Sequence, residues 1–163
     1  MKNFIKHNLF ACNGILFNHE SPRRGSEFVT QKIAEGVARI KLGKQESLQL
    51  GNLESRRDWG HAKDYVKAIW QMMQLNKPED FVIATSYSHS IKEFCKIAFE
   101  TVNLDWQNYV KVNPAFLRPN DVNYLRGDYT KARNTFGWQP TILFKDLVKE
   151  MVDTAMTREL RLT

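Results

Sequence analysis

Residues 9–17, LFACNGILF, form a nearly unbroken apolar run that gives way at once to the polar stretch 18–25, NHESPRRG. An apolar run this short, bounded by turn-forming residues, reads as a strand that needs cover on both faces. Such strands belong to parallel sheets flanked by helices, and the rest of the pattern agrees. Phe28, Ile33, Val37, Ile40 and Leu42 are spaced to line one face of a helix that Gly43 ends. Short strands are expected at 47–50, 81–84 and 109–112. Further helices are expected over 61–74, with Tyr65, Ile69, Met72 and Met73 on one face, and over 130–136 and 144–156. Ser90 and Glu93 have the capping-box spacing for a helix that carries Phe94, Ile97, Ala98 and Thr101. Residues 114–129 read as loop. Strands that alternate with helices give an α/β unit.

At 163 residues the chain is expected to be one compact unit. None of its eight glycines forms G-x-G-x-x-G or G-x-x-x-x-G-K-[ST], so neither glycine-rich phosphate loop is encoded. No apolar run approaches the ~20 residues that span a bilayer. The opening MKNFIKHNLFACNGILF has lysines before an apolar stretch, but Asn8 and Asn13 interrupt it and no small-residue cleavage site follows. The expectation is a cytoplasmic protein, with Cys12 and Cys95 as reduced core thiols. A net charge of +6 points to an anionic partner.

Three arginine-bearing segments stand out. Asn18 to Gly25 follows the apolar strand, at the end where α/β proteins bind ligands, and offers an amide, an imidazole and two guanidiniums. An ordinary solvated turn at Pro22 and Gly25 is the plainer reading of the same residues. Arg56-Arg57-Asp58-Trp59 has the groups to grip a diphosphate. Its plainer reading pairs Arg57 with Asp58 or Asp64 and buries Trp59. Arg118-Pro119, with Lys111 upstream and Arg126 downstream, is the third. His19, His61 and His89 lack metal-ligand spacing, neither cysteine has a base partner, and no stripe of basic residues or stacking platform points to nucleic acid. Trp70, Met72 and Met73 read as core at helical spacing.

These strings resemble the GDP-mannose 4,6-dehydratase family. The resemblance rests on FACNGILFNHESPRRG at 10–25, then Phe28-Val29-Thr30 with Lys32-Ile33, LGNL at 50–53 and RDWGHAKDY at 57–65. It continues through IAT at 83–85, Arg118-Pro119, Gly127-Asp128, TKA at 130–132 and GWQP at 137–140. It covers about residues 9–156 and implies the C-terminal portion of an extended short-chain dehydrogenase/reductase. In that reading residues 1–18 are a remnant strand of the Rossmann domain with its connector, and 19–163 the sugar-nucleotide domain. The family oxidises C4 of mannose with NADP, eliminates water across C5–C6 and returns the hydride to C6. Its catalytic Thr and Glu, its Tyr-x-x-x-Lys pair and its glycine-rich turn lie upstream of the matching region, so no catalytic residue is assigned here.

The resemblance further implies that His19 and Arg24 reach NADP, Arg24 suiting a phosphate at or across a subunit contact. Asn18 would hold the diphosphate, Val29 and Lys32 would flank the nucleotide, and Arg57 and Arg118 would clamp the diphosphate. Asp121 stands where the family has Glu, at the position that reaches a ribose hydroxyl. Ser86-Tyr87-Ser88-His89-Ser90 departs from the family's Gly-Glu-x-His-Ser. Three readings stay open: a fragment of an NADP-dependent lyase that is inactive alone, a non-catalytic GDP-sugar-binding module that pairs with a separate Rossmann half, and a truncated product without a job of its own. Implied partners are GDP-mannose and either further copies of the chain or that Rossmann half, with no nucleic acid and no membrane.

Overall fold

The computed structural model describes residues 9–117 and 122–162. Its elements in chain order are β1 (Gly14–Leu16), β2 (Asn18–Glu20), α1 (Val29–Lys41), β3 (Leu48–Leu50), β4 (Arg56–Arg57), β5 (Trp59–His61) and α2 (Ala62–Met72). Then come β6 (Phe81–Ile83), β7 (His89–Ser90), α3 (Ile91–Thr101), β8 (Val110–Val112), α4 (Thr130–Phe136) and α5 (Phe144–Arg161), with 3-10 turns at Trp106–Asn108 and Pro114–Phe116. The strands pair as β1–β6, β2–β5 and β3–β8, all parallel, and as the antiparallel β4–β7. The α/β class holds.

Two apolar cores result. In the larger, α1 contributes Ile33, Ala34, Val37, Ala38 and Ile40, which recur at helical spacing. They pack with Phe94, Cys95, Ala98 and Phe99 of α3 and with Leu147, Val148, Met151 and Val152 of α5. Each large side chain buried there contributes about 1.5–3 kcal/mol. Gly43 ends α1 in the left-handed region at φ 69°. The capping box forms as expected: Ser90 Oγ accepts from the Glu93 N–H at 3.0 Å, and Glu93 accepts from the Ser90 N–H. The smaller core joins Tyr65, Ala68 and Met72 of α2 to Phe81 and Ile83 of β6, with Ala132 and Trp138.

The apolar run differs from its expectation. Only Gly14–Leu16 is a strand, and among the described residues β6 is its one neighbour. Leu9, Phe10 and Ile15 stay exposed, Ile15 by 55%. The polar residues 18–20, expected as loop, are a strand instead. After Phe17 the chain leaves β6 and pairs with Trp59–His61, and the backbone ladder outweighs side-chain polarity. Trp70 is exposed and so are Ile69 and Met73; the buried face of α2 is Asp64, Tyr65, Ala68 and Met72. The helix expected from residue 61 begins at 62 because His61 closes β5 and caps α2, its Nδ1 accepting from the Lys63 N–H at 3.0 Å. Cys95 is buried, its thiol pushed up to about 12 by burial, whereas Cys12 is half-buried beside Met73. No helix among the described residues is long and apolar enough to cross a membrane.

Candidate functional site

The site grows from β2, whose ladder with β5 sets Asn18 opposite Trp59, His19 opposite Gly60 and Glu20 opposite His61. Trp59 and His61 are buried, so β5 is a fixed support. The Asn18 amide is unpartnered among the described residues and not sealed from solvent. His19 is bonded on one side, Nδ1 lying 3.0 Å from the Phe17 carbonyl, and its other ring nitrogen is open.

Glu20, 1% exposed, anchors the loop that follows. One of its oxygens accepts from Thr30 Oγ1 at 2.7 Å and lies 3.2 Å from Arg24 Nε. Burial pushes the Glu20 carboxyl up, against the Thr30 hydrogen bond and the charge of Arg24. Arg24 Nε makes no aligned hydrogen bond, so its contact with Glu20 is a charge pairing. The guanidinium carbon sits 3.4 Å over the Phe28 ring. This arrangement fixes the stem of Arg24, while its terminal amino groups have no partner among the described residues and are not buried. An anion fits that donor set.

Through Glu20 and Thr30 the loop reaches the start of α1, where Val29 packs partly into the larger core. Lys32, one turn on, places its ammonium 4.2 Å from the centre of the Phe116 ring. Phe116 comes this close because Gly51 has no side chain: a Cβ there would lie 2.5 Å from the Phe116 carbonyl oxygen. Arg57 also braces the backbone. Its guanidinium donates to the carbonyls of Arg56 and Val122, tying β4 to the segment beyond 121. Neither partner suggested by the plainer reading takes it up in the described contacts. Asp58 is occupied by Thr85, Ser86 and Gly127, and Asp64 by Thr141 and Ile142. Trp59 is core, 2% exposed. Arg118 and Asp121 lie outside the described residues. Arg126 and Arg133 line a separate hollow of about 400 Å³ with Ser86 and Thr130.

Asn18, His19 and Arg24 therefore share one strand and its outgoing loop, with Val29 and Lys32 joined to them through Glu20 and Thr30. Sequence reasoning gave no site role to Glu20, Thr30, Phe28, Phe116 or Tyr65. One signal was present: Arg24 and Phe28 stand four apart. The Glu20–Thr30 bond spans a turn, and no periodicity marks it.

Comparison with known proteins bears directly on this arrangement. Over 147 residues the chain is 52% identical to GDP-mannose 4,6 dehydratase 1 of Arabidopsis thaliana, covering 90% of this chain and 41% of that protein. It is 49% identical over 163 aligned positions to the Homo sapiens GDP-mannose 4,6 dehydratase, covering 90% and 44%. The chain thus spans less than half the length of these relatives. In structure it is similar to RMD from Pseudomonas aeruginosa complexed with NADPH (TM-score 0.86, 19% identity, 96% of this chain and 51% of that one). It is also similar to the dTDP-glucose 4,6-dehydratase from Bacillus anthracis in complex with NAD (TM-score 0.82, 17% identity, 98% and 49%). The fold is that of half an extended short-chain dehydrogenase/reductase. The sequence model for GDP-mannose 4,6 dehydratase matches residues 2–151. With strand, loop and helix start all falling inside that match, the chain belongs to the GDP-mannose 4,6-dehydratase family.

Proposed function

We propose that this chain is the sugar-nucleotide-binding portion of a GDP-mannose 4,6-dehydratase, with residues 1–18 as the remnant strand and connector and 19–163 as the binding unit. The observation that carries this reading is the run of unpartnered, solvent-reached polar groups from β2 into its loop, namely the Asn18 amide, one His19 ring nitrogen and the Arg24 amino groups. Donors and acceptors held on a rigid strand and left without partners suit phosphates and hydroxyls. In this reading Asn18, Val29, Lys32, Arg57, Arg118 and Asp121 serve GDP-mannose, and His19 and Arg24 serve NADP. NADP, when bound, supplies the oxidant for C4 and the hydride for C6. Arg24 would neutralise a phosphate on an arm stiffened by Glu20 and Phe28. The sequence has no Tyr-x-x-x-Lys pair and no glycine-rich turn, so the chain by itself would bind without turning substrate over. The free thiols Cys12 and Cys95 suit a cytoplasmic setting.

Calorimetric titration of the purified chain with GDP-mannose, against UDP-glucose as control, tests the binding half. Selective uptake of GDP-mannose supports it; no heat from a folded chain counts against it. Formation of a 4-keto product from GDP-mannose and NADP would overturn the prediction of inactivity.

A second reading, in which the chain works with a separate Rossmann half, is favoured by the open side of β1. A parallel-sheet strand with one neighbour among the described residues and an exposed Ile15 lacks the cover such strands have. Co-expression with the N-terminal half of a relative, followed by size-exclusion chromatography, decides between a paired assembly, a homo-oligomer and a lone chain.

A further inference from the structure

In the β2–β5 ladder His19 stands opposite Gly60. A Cβ on Gly60 would lie 2.4 Å from a Tyr65 ring carbon and 2.9 Å from the Tyr65 hydroxyl, so the ring occupies the space a side chain would take. That ring stacks on the His19 imidazole, with centroids 5.2 Å apart and planes 27° from parallel. Tyr65 is itself 1% exposed and meets Trp138 edge-on at 6.0 Å, which sets its own position. Its hydroxyl has no hydrogen-bond partner among the described residues, so the ring is what this residue contributes.

At the imidazole edge, Nδ1 lies 3.0 Å from the Phe17 carbonyl oxygen. A carbonyl only accepts, so Nδ1 carries the hydrogen and the neutral ring leaves a lone pair on Nε2. His61 is held in the opposite sense. Its Nδ1 accepts from the Lys63 N–H, so its hydrogen is on Nε2, which donates to Glu150 at 2.8 Å.

We propose that Tyr65, seated in the space left by Gly60, is a positioning residue that holds His19 as the Nδ1–H tautomer. Nε2 is then an acceptor for a ligand O–H or carboxamide N–H, and not a donor to phosphate. The proposal deepens the reading of His19 as a dinucleotide-binding residue and rests on it. It divides the labour in the site: Arg24 meets negative charge, and His19 meets a hydroxyl or amide donor.

The test is nitrogen-15 NMR of the histidine rings in the whole chain, in mildly alkaline buffer where imidazoles are neutral. The expected spectrum has a protonated Nδ1 and a bare Nε2 for His19, with the reverse for His61. Tyr65→Phe keeps the His19 pattern, because the ring remains. Tyr65→Leu and Gly60→Ala shift His19 to an average of both tautomers, while His89, stacked on Phe144 and linked to this ladder only through Phe144 and Trp59, keeps its signals and certifies the fold. A bare Nδ1 on His19 in the unsubstituted chain overturns the proposal. So does a His19 pattern that stays unchanged in a folded Tyr65→Leu or Gly60→Ala variant. With NADP added, the His19 Nε2 signal should move as for an accepted hydrogen bond without protonation; a bound imidazolium overturns the acceptor role. If NADP leaves His19 unmoved while the tautomer is as stated, the dinucleotide reading of the site fails and the tautomer result stands.

Discussion

The carboxylate of Asp58 accepts the backbone N–H of Gly127 at 3.1 Å, joining the link between β4 and β5 to a loop 69 positions later. The same side chain takes the Thr85 N–H at 2.8 Å, the Thr85 hydroxyl at 2.6 Å and the Ser86 N–H at 2.9 Å. Asp58 is fully buried, so all four donors depend on it. An asparagine there presents one acceptor oxygen and turns an amino group toward donors. Asp58→Asn should cost about 2–4 kcal/mol, read as a lower urea midpoint, with hydrogen-exchange protection lost first at Ser86 and Gly127.

Ser86 holds φ at 64°, a region that costs an L-residue about 1–2 kcal/mol. The Asp58 bond to the Ser86 N–H keeps the backbone in place whatever the side chain. Ser86→Gly should therefore stabilise the chain by about 0.5–1 kcal/mol after glycine's own entropy cost. A thermal melt should show a rise of about 1–4 °C, and a fall would contradict the strain.

Asp64 gives a pH dependence of definite sign. Burial pushes its carboxyl up, but the Thr141 hydroxyl at 2.7 Å, the N–H groups of Ile142 and Thr141, and nearby Lys67 outweigh burial and hold it below the ordinary value. A lowered carboxyl contributes stability that is present above its unfolded value and is lost as pH falls through its native one. Asp64→Asn should thus cost about 1.5–3 kcal/mol near neutrality, and the gap to the unsubstituted chain should narrow in acid. Urea titrations of both proteins at neutral and acid pH measure this; a gap that widens in acid contradicts it.

Ile15 lies on β1 with 55% of its surface open. Ile15→Lys should change the stability of the lone chain by no more than about 0.5 kcal/mol, since exposed sites tolerate substitution. If an N-terminal Rossmann half covers this strand, the same change buries an unpaired ammonium and should abolish co-elution on size-exclusion chromatography. Co-elution as strong as before would place the joining surface elsewhere.

Much of the fold was legible because α1, α3 and α5 bury faces at regular spacing, and because Ser90 and Glu93 carry a local capping signal. The strands at 18–20 and 56–61 were hidden. Their residues are polar or charged, and partners distant in sequence, not side-chain alternation, make them strands. Trp70 misled because helical spacing marks a face without saying whether anything covers it. At the candidate site the polar types Asn18, His19 and Arg24 were readable. Their supports, Glu20 to Thr30 and Tyr65 over Gly60, exist only once two strands have come together.

Phe17 is the single residue between β1 and β2, yet those strands pair with different segments, 81–83 and 59–61. The consequence is one of timing. As the chain is synthesised, residues 18–20 meet their complement first, and 14–16 must wait until a further helix has emerged. An apolar segment thus stays unsatisfied for a defined interval while its polar neighbour is already anchored. Ladders between such distant segments close slowly, and this interval is when the nascent protein is most exposed to misassociation. The order of chain emergence makes the pairing of Asn18 and His19 early and the pairing of Gly14–Leu16 late.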